Sequence, residues 1–105
     1  MSGVNLHQIP ICTTFEPPPG FEVERVIGTA CAGCQTFFGG EITMMTELAN
    51  DARNEAMNRL ETSARQMGGN CILGMRFDSS ELMQNTNEIV AYGTAAVIRR
   101  AQPGP

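Results

Sequence analysis

Two cysteines three positions apart, in Cys31-Ala32-Gly33-Cys34, are the residues of this chain whose types and spacing best suit chemistry. Two thiolates at this spacing chelate one soft metal when a tight turn aims both sulfurs at the same centre. Cys31 and Cys34 are therefore the candidate metal ligands, and a soft divalent ion such as zinc is the cofactor they would take. The pair is half a site. Structural zinc takes four ligands, and no second Cys-x-x-Cys or spaced histidine pair follows. Cys12, Cys71 and His7 remain to complete it, within the chain or across an interface. Redox work needs a thiolate of low pKa, usually at a helix N-terminus. The helix expected here begins after Gly39-Gly40, several residues too late, with no cation nearby. Packing of small residues in a Gly- and Ala-rich turn outweighs both chemical readings.

Nothing else assembles into a reaction centre. Ser79 and Ser80 adjoin Asp78 and Glu81 where a hairpin turn is expected, and no histidine orders them into a triad. The doublets Gly39-Gly40 and Gly68-Gly69 make no phosphate loop, since the second follows a helix instead of preceding one. Met45, Met67 and Met75 fall on apolar faces and read as core. Gly74 and Gly93, inside strands, read as points of close packing. No catalytic residue is assigned and no enzymatic activity is expected.

The elements that must carry the cysteines follow from pattern. Residues 1–20, with Pro10 and Pro17-Pro18-Pro19-Gly20, read as a proline-rich arm, in which Ile11 to Phe15 can form one short strand. Phe21 to about Ala30 reads as a strand, with Gly28 and Gly33 marking a bulge or turn near its end. From Glu41 to Met67 the apolar residues Ile42, Met45, Ala49, Ala52, Ala56, Leu60, Ala64 and Met67 recur at steps of three and four, which predicts one long helix. Gly68-Gly69 ends it. Cys71 to Asp78 and Glu88 to Arg99 alternate as two strands around the turn signal Asn85-Thr86-Asn87, a hairpin. Residues 101–105 are a tail. The prediction is an α+β domain over residues 21–100, two-layered, in the order β-α-β-β.

Composition narrows the partners. The formal charge is −4 and all seven basic residues are scattered arginines, so the electrostatic footprint of a nucleic-acid binder is missing. No apolar run approaches the roughly 20 residues of a bilayer span, and Met1 to Ile11 lacks the basic and apolar regions of a signal peptide. The expected location is cytoplasmic, with the four cysteines as free thiols.

The last strand calls for cover. Ile89, Ala91, Gly93, Ala95 and Val97 lie on one face and Val90, Tyr92, Thr94, Ala96 and Ile98 on the other, and neither face is polar. One helix covers one face. A helix of about 27 residues, roughly 40 Å long, should also overhang strands of roughly 27–33 Å. The arm, with its prolines and few large apolar residues, is a poor lid. Self-association into a homo-oligomer is the better expectation.

The block Met67 to Asp78 (MGGNCILGMRFD), followed by Ala91-Tyr92-Gly93-Thr94-Ala95-Ala96-Val97, resembles the YbjQ-like family. The helix stretch Leu48 to Ala56 and the opening Gly20-Phe21-Glu22-Val23 with Ile27-Gly28-Thr29-Ala30 are similar to it as well. The resemblance covers residues 20–98. It implies a dodecin-subunit-like fold, a ring of five subunits, and a label of heavy-metal binding with no enzymatic activity attached. It supplies no ligand set. The stretch Cys31 to Phe38 stands where the family has a longer Gly- and Glu-rich loop, and it places two cysteines where members need not have them.

Overall fold

The computed structural model describes residues 8–37, 42–83 and 86–102. His7, Gly39-Gly40, Asn85 and Pro103-Gly104-Pro105 lie outside the described residues, as do the side chains of Cys34, Ile42, Met45 and Ala49. The element order is β1 (Phe21–Phe37), α1 (Ile42–Gln66), β2 (Cys71–Met83) and β3 (Thr86–Arg100). The strands form one antiparallel sheet in the order β1-β3-β2, with the helix packed on one face. This is the α+β arrangement that the patterning predicts.

Helix α1 is the element that periodicity locates best. Ala52, Ala56, Leu60 and Ala64 are at most 2 % exposed, and the last three pack on Ala30, Ile72, Met75, Ala91 and Ala95 of the sheet. Small residues on the helix let it lie close to the sheet. The end is a Schellman cap: Gly68 takes φ 94°, Gly69 N–H donates to Ala64 O at 2.9 Å and Gly68 N–H to Arg65 O at 3.0 Å. Glu55 and Arg59 pair at 3.2 Å on the outer surface.

The strands are longer than expected, and this reverses the length argument. β1 has 17 residues, β2 13 and β3 15. At ~3.3 Å per residue β1 spans roughly 55 Å, against about 38 Å for the 25-residue helix. The sheet overhangs the helix. Polar residues such as Ser79, Ser80, Glu81 and Glu88 pair in the ladder, because backbone hydrogen bonding continues where the apolar pattern stops. Two one-residue bulges, at Glu24 and Ile27, interrupt the β1–β3 register, and they place Gly28 in a bulge as the sequence suggests.

The arm is docked. Ile11 forms a parallel bridge with Ile72. Ile72 N–H donates to Pro10 O at 3.0 Å, Cys12 N–H to Ile72 O at 2.8 Å, Met75 N–H to Cys12 O at 2.9 Å and Gly74 N–H to Thr14 O at 2.8 Å. Gly74 sits at φ +61° beneath the ring of Phe15, where a Cβ would collide with that ring. The arm thus covers the outer edge of β2 from Ile72 to Met75, with Ile9 and Ile11 packed toward the helix-side core. Gln8 N–H is held at 2.8 Å by the buried carboxylate of Glu61, and Arg65 donates to the Gln8 side chain. Prolines that forbid helix do not forbid one strand-like pairing.

Candidate functional site

The predicted Cys31–Cys34 turn is strand. From Ala30↔Gly93 to Phe37↔Thr86 the β1–β3 register runs without a shift, through Cys31↔Tyr92 and Cys34↔Ile89. Faces alternate along a strand, so positions 31 and 34 fall on opposite faces. The structure does not bring this pair together within one chain. Gly33 was the misleading signal: its carbonyl accepts from Arg59 Nη1 at 2.8 Å, and β3 holds it in the ladder. Cys31 itself is exposed; its pairing with Tyr92 turns it to the face away from the helix, at the rim of an open groove of about 400 Å³ between α1 and β1 that Glu55, Arg59, Thr62 and Gln66 also line.

A second thiol pair arises from the docked arm. Cys71 and Leu73 alternate with Ile72 on β2, so they occupy the sheet face opposite the helix. There they form a cluster with Ala96 and Ile98 of β3, against which Cys12 and Val23 pack. Cys71 is fully buried and Cys12 half-buried, and both are free thiols. Burial, reinforced by the adjacent Cys12 thiol and a hydrogen bond with it, pushes the Cys71 thiol up from 9.0 to about 11. The sequence places Cys71 in a core, as observed, but the alternation it reads from Cys71 to Phe77 breaks at the register shift between Leu73 and Arg76, which turns Met75 to the helix side. The partner of Cys71 was hidden because pairing with Cys12 depends on where the arm docks.

Asn70 holds the seam of this cluster. Its backbone N–H donates to Ala96 O at 3.0 Å; its side chain accepts from Ile98 N–H at 2.7 Å and donates to Ile98 O at 3.1 Å. The amide acts as one more rung of the β2–β3 ladder, a role that no spacing rule points to.

Among the described residues, no three His, Cys, Asp or Glu side chains converge as a metal site, and no helix is long and apolar enough to cross a membrane. The geometry defines a class: a small two-layer domain of one long helix on a three-stranded antiparallel sheet. The family model described as "Putative heavy-metal-binding" matches residues 11–99, so the match includes half of the arm. The chain is 39 % identical to a UPF0145 protein of Burkholderia thailandensis over 105 residues, covering 87 % of this chain and 95 % of that one. UPF0145 proteins of Burkholderia mallei and Burkholderia pseudomallei are 38 % identical with the same coverage. A crystal structure of a DUF74-family protein of unknown function from Pediococcus pentosaceus matches with a TM-score of 0.61 at 18 % identity, covering 87 % of this chain and 98 % of that one. That likeness supports the fold. The chain belongs to the YbjQ-like family, whose members here carry the UPF0145 name. None of these names states an enzymatic activity.

Proposed function

We propose that this chain is a non-enzymatic cytoplasmic domain that works as a closed homo-oligomer, five copies being the expected number, and takes up a soft metal ion on cysteine thiolates. The observation that carries the reading is the difference between the two sheet edges. The arm covers the β2 edge from Ile72 to Met75, whereas β1, a strand of 17 residues, pairs with β3 along one side and has no strand on its other side among the described residues. Long open edges are managed by pairing or by cover, and a second copy is the cover always at hand. Exposed apolar residues agree with this. Val26, 62 % exposed, is opposite Ala96 and Tyr92, 40 % exposed, is opposite Cys31, on the face away from the helix. The radius of gyration, 16.0 Å, exceeds the ~13 Å of a compact domain of about this length.

A neighbouring copy against β1 would bring cysteines from two chains within reach of one ion at this edge. This is how Cys31 and Cys34, on opposite faces of one strand, enter a site. Should the ring hold no ion, the same edge supports a structural assembly domain, for which the opposite facing of these two positions speaks.

Native mass spectrometry of untagged protein tests both halves, since it reads subunit number and bound ion together. We expect an oligomer, and dissociation to folded monomers in Val26→Glu and Tyr92→Arg. Ala95→Arg should unfold the chain, because Ala95 is fully buried beneath the helix. A wild-type mass of a single 11.3 kDa chain at micromolar concentration overturns the assembly.

A further inference from the structure

We propose that Cys12 and Cys71 form a second metal site, complete within one chain, for a soft divalent ion that takes two thiolates in a line, of the mercury(II) class. The two thiols lie in one cluster on one sheet face, Cys12 packed against the cluster that Cys71 belongs to. Their backbones are fixed relative to one another: Ile72 N–H donates to Pro10 O and Cys12 N–H to Ile72 O on either side of the bridge. Two sulfurs are thus presented at the seam between arm and sheet.

The surroundings choose the ion. No third ligand joins the pair among the described residues, so zinc, which takes four, is poorly served. Ions of filled d shell and soft character accept two sulfurs. Among these, charge decides. The walls are Val23, Leu73, Ala96 and Ile98, and an uncompensated charge in such a place is costly. A divalent ion with two thiolates is neutral; silver(I) or copper(I) with two thiolates carries −1. Binding forms two metal–sulfur bonds, releases the two thiol protons to solvent and changes no oxidation state. Because one ligand comes from the arm and the other from β2, the ion fastens the arm to the sheet.

The site needs no second copy, so it stands or falls apart from the assembly proposed above. The protein to titrate is Cys31→Ser with Cys34→Ser, which leaves Cys12 and Cys71 as its cysteines. Mercury(II) is added in the presence of excess glutathione, which strips ions held by one thiolate. We expect one ion per chain by native mass spectrometry, a sulfur-to-mercury absorption band in the ultraviolet, and no competition from zinc. Adding Cys12→Ser, at a half-buried position that tolerates a hydroxyl, or Cys71→Ala should weaken binding by ~100-fold or more, the advantage of a second tethered ligand. In the wild-type protein the ion should slow hydrogen exchange at Ile72, Gly74 and Met75, whose N–H groups donate to the arm, and leave the middle of β3 unchanged. Undiminished binding after Cys12→Ser, loss of the ion in the starting double variant, equal uptake of zinc, or unaltered exchange at those three amides overturns the proposal.

Discussion

Cys71 makes its surroundings measurable through pH. Its thiol titrates at about 11 in the fold against 9.0 ordinarily, with burial the main cause and Cys12 the second. The unfolded chain releases this proton first, so between those values the unfolded state binds fewer protons than the folded one. The contribution to stability is fully present below pH 9 and is lost as pH rises through 11, by about 2–3 kcal/mol in all. Urea unfolding at about pH 8 and pH 11 should show this loss, and Cys71→Ala should lack that part of it. An equal loss in both proteins would mean that the thiol is not desolvated. At this scale the sequence was half legible. Alternation with Leu73 identified Cys71 as core, but Met75, read on the same face, packs on the helix side after the register shift between Leu73 and Arg76, and residues 71–75 are all buried. The Cys12 contact and the Asn70 rung depend on residues 59 and 28 positions away along the chain, and no local pattern encodes them. The Cys31–Cys34 spacing misled for the opposite reason. A glycine between cysteines permits a turn, but it does not impose one when a partner strand supplies a continuous ladder.

Among the elements, α1 was legible because eight apolar residues recur on one face of a single uninterrupted segment. The strands were under-read because their outer halves are polar, as at Ser79 and Glu81, and owe their conformation to pairing across the hairpin. Gly93 shows how tightly β2 and β3 meet within the sheet. A Cβ there would lie 2.7 Å from Ile72 Cγ2 and 3.1 Å from Leu73 O. The latter is backbone in the adjoining strand and cannot swing away as a side-chain tip can. Gly93→Ala should therefore cost about 1–3 kcal/mol by overpacking, read as a lower urea midpoint with an unchanged slope. A midpoint equal to wild type would show that β2 and β3 can part locally without penalty.

At the scale of the molecule, the expectation that one sheet face would lie bare was partly met. The arm and Val23 cover Cys71, Leu73, Ala96 and Ile98, while Tyr92 and Val26 remain exposed farther along. The arm's capping of β2 also bears on symmetry. If β1 met β1 of a second copy, the contact would be isologous, and both open edges would be consumed in a two-fold pair. A five-membered ring needs a heterologous contact, in which β1 of one copy meets a different surface of the next and the rotation closes. What the arm opposes, where it covers Ile72 to Met75, is the third outcome, β1 joining β2 of the next copy without end to build one continuous sheet. Deleting residues 1–16 lifts that prohibition by uncovering the N–H groups of Ile72, Gly74 and Met75. The truncated chain should then grow into filaments, visible as rising light scattering and thioflavin fluorescence at concentrations where the full chain stays at a fixed mass. A truncated chain that keeps that fixed mass would show that something other than the arm terminates the sheet.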